Sequence, residues 1–183
     1  MTVPMRYLGD PVLRRKCKEV MEITDEIRDI AEKLLVTMQA HNGLGLAAPQ
    51  IGYTWRMFAI CVSDEIDEKE NPLDIEPKVF INPKITKFYG KEITLSEGCL
   101  SMPGFYEDVV RPEIIDVEAI DIEGKPIIEK GLCRWRSRCI QHELDHLDGI
   151  LFIDHLAPNL KEKHADHLKL LEMQFRQRNQ PKL

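Results

Sequence analysis

Nowhere in the 183 residues is there a run approaching the roughly 20 apolar side chains that a membrane-spanning helix needs. The opening stretch, Met1 to Val12, has no apolar core of a secretory signal, so neither a span nor an export signal is expected. Positive charge is also short. With 25 Lys and Arg against 31 Asp and Glu, the net charge is -6. Nucleic-acid phosphates are bound by clustered Lys and Arg. A general nucleic-acid binder is therefore disfavoured, although a local basic patch is not. Cysteines are few and odd in number: Cys17, Cys61, Cys99, Cys133 and Cys139. Their scatter is not a disulfide framework. A reducing, cytoplasmic compartment is the simplest reading, and there a cysteine is either buried filler or chemistry. Internal repeats and low-complexity linkers are missing too.

What remains is globular. Hydrophobic residues make up 43% and charged residues 31%. The length predicts one domain that can bury a core without staples. Thr24 is an N-cap candidate, with Asp25 and Glu26 in the first turn behind it. Ile27, Ile30, Ala31, Leu34 and Met38 then recur at helical spacing up to the stop at Asn42-Gly43. Residues 43–52 read as a Gly-rich loop, 56–62 as a buried strand and 63–77 as an acidic exposed loop. The 79–85 segment is strand-like, but Pro83 limits it to an edge or a strand end. Residues 114–122 alternate as a strand, with a slip near Ala119-Ile120 that predicts a bulge. Glu123-Gly124 reads as a hairpin turn into a strand at 126–129. A helix is predicted from Trp135 to Leu147, ending before Gly149. A last one carries Leu168, Leu171 and Phe175 on one face. Strands in the middle and helices at both ends predict an α+β domain.

The segment with the most chemistry is His142-Glu143-Leu144-Asp145-His146, an H-E-x-x-H on a predicted helix. Residues four apart share a helix face, so both imidazoles can reach one ion. A divalent ion lowers the pKa of bound water and polarises a carbonyl. Glu143, beside the first ligand, can take the water proton and pass it to a leaving amine. Asp145 lies off the ligand face and is expected to pair with a basic group such as Arg111, orienting the helix. A catalytic site needs a third protein ligand and an open position. Downstream the candidates are His155, Glu162, His164 and His167, of which the last two read as solvated surface. Upstream the candidate is Cys99, in Glu97-Gly98-Cys99-Leu100-Ser101, a soft thiolate suited to zinc or ferrous iron. Cys61 and Cys17 read as buried filler. Cys139, three residues before His142, either lines the site or is a fourth ligand of a closed structural zinc. Lining is the preferred assignment. In Gly43-Leu44-Gly45-Leu46-Ala47-Ala48-Pro49-Gln50, small residues bare the backbone, which suits an extended peptide added as a strand. The Gln50 amide can donate to a developing oxyanion.

Taken together and in order, Gly43 to Gln50, Glu97 to Ser101 and Gln141 to His146 strongly resemble the peptide deformylase family. Gly9-Asp10-Pro11-Val12-Leu13, Gln50-Ile51-Gly52 and Phe80-Ile81-Asn82-Pro83 are likewise similar, so the resemblance runs to about Leu156. It implies hydrolytic removal of the N-formyl group from formyl-methionine at the start of new polypeptides. By resemblance, Cys99, His142 and His146 hold the metal and Glu143 is the acid-base residue. The Gln50 amide and the Leu100 N–H meet the oxyanion, and Leu44 and Gly45 align the substrate backbone. The methionine pocket is expected near Cys139 and His142. The implied ion is ferrous iron, with zinc, nickel or cobalt as substitutes, and thiolate with iron implies oxygen sensitivity. The implied architecture is α+β: antiparallel sheets packed around a central metal-binding helix, with N- and C-terminal helices, in a single catalytic domain over 1–183.

The basic, bulky stretch Gly131 to Arg138 departs from the small apolar approach expected before this helix. From Asn159 onward, Lys161, Lys163, Lys169, Arg176, Arg178 and Lys182 outnumber Glu162, Asp166 and Glu172. That excess fits a ribosome contact for an enzyme acting on nascent chains, or simply a solvated helix. A monomer without membrane association is expected. Two other functions share the motif. A metallopeptidase cutting internal bonds predicts no role for Cys99. A non-enzymatic protein with a closed structural zinc on Cys99, Cys139 and both histidines predicts that Glu143 is dispensable.

Overall fold

The computed structural model describes residues 1–69 and 72–176. Its first helix, α1 (Asp25–Ala40), starts where Thr24 Oγ1 accepts the Ile27 N–H at 3.4 Å. The predicted stripe is its buried face: Ile27, Ile30, Ala31, Leu34 and Met38 pack in one core cluster with Leu46, Met57 and Ile81. The helix unwinds at Asn42, which takes a positive φ of 52°.

Five strands follow, β1 (Gly45–Ala47), β2 (Met57–Ile66), β3 (Pro72–Cys99), β4 (Met102–Ile120) and β5 (Pro126–Leu132). They form one antiparallel sheet in the order β1-β2-β3-β4-β5, so each strand pairs with its neighbour in the chain. Several expectations shift here. The Gly-rich segment is not all loop, because Gly45 to Ala47 pair with Ile60 to Phe58 before a 3-10 turn at Ala48–Ile51. Much of the expected acidic loop is strand as well, since β2 runs on to Ile66. Pro83 lies inside the long central β3, which a proline tolerates only where the ladder breaks. The ladder does break there: the register to β4 shifts between Ile81 and Lys84, and Asn82 has φ 50°. The Asn82 side chain accepts from Val20 N and donates to Val20 O, both at 2.8 Å, holding the bulge. On β4 that same shift falls between the Ile120 and Glu118 pairs, at the slip expected near Ala119-Ile120, and a further shift lies opposite Asp116, between Ile115 and Val117. The turn into β5 is as expected, with Gly124 at φ 81°.

The second helix, α2 (Arg134–Leu147), packs against β1 and β2. Nine of its fourteen residues are buried, so it is enclosed on more than one face. One side, Ile140 and Leu147, joins a core of Phe58, Ile60, Phe80 and Val117. Its polar residues must therefore find partners inside the protein. A 3-10 turn (Phe152–His155) leads to α3 (Pro158–Arg176), which buries Leu171 and Phe175 against Leu8, Leu13 and Phe105. Phe175 stacks on Tyr7 with ring centroids 5.0 Å apart. The architecture is α+β, with α2 against the sheet and helices near both ends. Arg178 and Lys182 of the basic tail lie outside the described residues.

Candidate metal centre

The β3–β4 connection brings Cys99 to α2. Pairing jumps from Gly98↔Tyr106 to Cys99↔Met102, so β4 carries a wide bulge around Gly104, whose φ is 82°. Bulges of this kind re-aim a side chain next to a site. The tip is pinned from the N-terminal segment: Leu8 N donates to Ser101 O at 2.9 Å, and Arg6 N to Gln50 O at 2.8 Å. Gly98, just before Cys99, lets the Tyr106 ring lie where a Cβ would otherwise stand.

At this tip Cys99, His142 and His146 offer donor atoms that all lie within 4.8 Å of one another. They are the only such cluster among the described residues. Cys99 Sγ lies 3.3 Å from His146 Nε2, and the two imidazoles are edge-to-face at 5.1 Å. Burial opposes ionisation of Cys99, but the charges and hydrogen bonds of His146 and His142 outweigh it and bring the thiol down to about 5. Two buried polar atoms here have no hydrogen-bond partner, Glu143 Oε2 and His146 Nδ1. Burial pushes the Glu143 carboxyl up to about 7, against the opposing pull of the two histidines. One thiolate, two imidazoles and an unpartnered carboxylate beside them make a donor set that fits a zinc- or iron-type ion with three protein ligands.

The family model described as polypeptide deformylase matches residues 3–162. The chain belongs to this family. A peptide deformylase from Picosynechococcus is 47% identical over 152 residues, covering 82% of this chain and 76% of that protein. One from Rhizobium meliloti is 42% identical over 160 residues, covering 86% and 87%. Among solved structures, a peptide deformylase from Ehrlichia chaffeensis superposes with a TM-score of 0.82 at 33% identity, covering 95% and 98%. One from Synechococcus elongatus in complex with actinonin gives 0.76 at 40% identity, covering 91% and 86%.

Around the deformylase-family cluster the other anticipated residues fall as follows. Gln50 Oε1 accepts the Ala47 N–H at 2.8 Å, which turns Nε2 toward Cys99 Sγ at 3.4 Å and Ser101 Oγ at 3.2 Å. Gly45 is pressed against α2, where a Cβ would come within 2.5 Å of Glu143 Oε1 and 2.8 Å of Cys139 Sγ. Leu100 leans over Gly43, and Leu44 is exposed just before β1. Cys139 is outside the donor cluster, and burial pushes its thiol well above the usual value, as suits a neutral wall. Cys17 is buried and pushed up to about 12, as filler should be, whereas Cys61 is only part-buried and contacts Gly43 O. His155 turns away to Asp145 at 2.8 Å. His164, expected as solvated surface, is instead part-buried: it pairs with Glu107 and packs edge-on to Phe105. His167 is exposed as expected.

Sequence reasoning assigns no role to Glu97 or Arg138, yet both are central. Glu97 Oε2 accepts from His142 Nδ1 at 2.9 Å, leaving Nε2 as that ring's ligand atom. Arg111 donates twice to Glu97, at 2.6 and 3.0 Å, and Arg138 once at 2.9 Å. Burial alone would raise the Glu97 carboxyl, but hydrogen bonds from His142 and Arg111 hold it far below the usual carboxylate range. The expected Arg111–Asp145 pair is present at 2.6 Å. The basic approach to α2 is thereby explained. Arg138 clamps Glu97, Val109 O and Ile93 O, while Arg136 binds Glu129 and Val62 O. One signal was available: Arg138 stands four residues before His142, on its helix face.

Proposed function

We propose that this chain removes the N-formyl group from the formyl-methionine of newly made polypeptides, with Cys99, His142 and His146 as metal ligands. The observation that carries the reading is the unpartnered, buried Glu143 carboxylate beside three converging donors, in a chain of the polypeptide deformylase family. The ion, ferrous iron by preference with zinc, nickel or cobalt as substitutes, would supply Lewis acidity toward the formyl oxygen and a more acidic water.

The residues of the chain do the rest. The substrate backbone lies along the outer edge of β1, beside Leu44 and Gly45, as an added strand. Cys139 walls the pocket for the methionine side chain. Glu143 takes a proton from water as the new C–O bond forms at the formyl carbon, and the carbonyl electron pair moves onto oxygen. Gln50 Nε2 and the Leu100 N–H donate to that oxyanion. As the C–N bond breaks, Glu143 returns the proton to the departing amine, leaving formate and a free N-terminus. Residues 1–183 act as one catalytic domain and as a monomer in the cytoplasm. Lys161, Lys163, Lys169 and Arg176, all exposed on α3, are available to a ribosome.

Formate release from formyl-Met-Ala tests this, using anaerobically purified, iron- or nickel-loaded protein beside Glu143→Ala. Rapid release by the parent and at least a 100-fold loss in a variant that keeps its metal are expected. A folded, loaded parent that releases no formate, or that cuts unformylated peptides instead, rejects the reading in favour of a peptidase.

A further inference from the structure

Beyond Glu97 the hydrogen bonds continue outward. Glu97 grips Arg111, Arg111 Nη1 donates to Asp145 Oδ2 at 2.6 Å, and His155 Nε2 meets the same oxygen at 2.8 Å. The chain thus runs from His142 to a surface cavity of about 310 Å³ lined by Ile85, Phe88, Leu144, Asp145 and His155. Arg111 and Glu97 are each 4% exposed, whereas His155 is 35% exposed.

We infer that Asp145, held in place by His155, is a positioning residue for His142 and sets how tightly the chain holds its metal. The inference rests on the proposed ligand set. Two arguments carry it. The first is charge. Glu97 and Asp145 balance Arg111 and Arg138 in one buried network. Without Asp145 that network keeps one uncompensated positive charge, two side chains from a ligand of a divalent cation. Uncompensated buried charge is costly, and here it also repels the ion. The second is orientation. Arg111 can grip Glu97 through both Nε and Nη2 because Asp145 fixes its third nitrogen, and Glu97 in turn fixes the tautomer and tilt of His142. Losing a direct partner of a ligating histidine, here Glu97, costs metal affinity roughly 10- to 100-fold, and Asp145 acts on that partner through Arg111. His155 supplies the second hydrogen bond to Asp145 Oδ2 and so fixes that carboxylate's rotamer.

The test compares the parent with Asp145→Asn, His155→Leu, His155→Gln and Phe88→Ala. Affinity for Co²⁺ is measured by chelator competition, and melting is measured on the metal-free proteins. We expect Asp145→Asn to bind at least 10-fold more weakly. His155→Leu should lose several-fold, and His155→Gln, whose amide can still donate to Asp145, should stay near the parent. Phe88→Ala, which alters the same cavity without touching the network, should be unchanged. Parent-like affinity in both Asp145→Asn and His155→Leu overturns the inference, as does an equal loss in Phe88→Ala. If Asp145→Asn does not fold, the His155 pair decides. Formate release is assayed separately. Absent release with affinities ordered as stated rejects the deformylase reading alone, and normal release with equal affinities rejects this inference alone.

Discussion

A single atom decides much at Gly45. Its missing Cβ lets β1 lie against Glu143 and Cys139, at distances of 2.5 and 2.8 Å for a hypothetical Cβ. Real Cβ atoms do not sit so close, so in Gly45→Ala the Glu143 carboxylate must swing away. Because misplacing a catalytic group by an ångström costs about 100-fold, kcat/KM should fall by about that factor while bound metal stays stoichiometric. A variant with parental kcat/KM would show that Glu143 does not need this position. At this scale the sequence was most informative where covalent spacing dictates geometry: His142, Glu143 and His146 share a helix face by periodicity. Glu97 and Arg138 went unassigned because their partners are 45 and 41 residues away. Local pattern shows at most that Arg138 shares a helix face with His142, not that either meets Glu97.

At the scale of elements, polar side chains fix the joints. The 3-10 turn after α2 is closed by Asp154, whose Oδ2 accepts the Leu151 N–H at 2.8 Å while the carboxylate pairs with Arg14. Burial would raise this carboxyl, but Arg14 and the Leu151 amide hold it below its ordinary value. A depressed carboxylate stabilises above its unfolded pKa of about 3.9. That contribution is lost as pH falls through the lower folded value. Asp154→Ala should therefore cost about 1 kcal/mol at pH 7, chiefly through the lost cap, since an exposed pair adds little. Urea melts at several pH values would show the gap shrinking below pH 4, and a gap that widens there would contradict the assignment. The helices were legible because caps and a 3.6-residue period are local. The strands were less so. Pro83 and Asp116 sit at bulges, and a bulge depends on what the partner strand opposes.

For the whole molecule, the question is whether the ion holds the fold or only works in it. Three hydrophobic clusters, around α1, under α2 and at α3, include 37 buried apolar side chains and do not need the metal to form. The metal-free chain should therefore remain folded. It should be less stable than the loaded chain by about 4 kcal/mol when free metal stands at 1,000 times its Kd. Calorimetry with and without chelator measures this, and a chelated chain that is unfolded at 25 °C would revive a structural-zinc role. By itself the sequence determined the donor types, the spacing of His142 and His146, the helix that carries them and the segments bearing Cys99 and Gln50, because these follow from residue chemistry and short-range periodicity. Only the tertiary structure decided that Cys99 rather than His155 completes the cluster, that Cys139 lies outside it, and that Glu97 is gripped by two arginines. Those outcomes depend on how a five-stranded meander folds its β3–β4 tip onto a buried helix, and long-range packing is set by the whole chain at once.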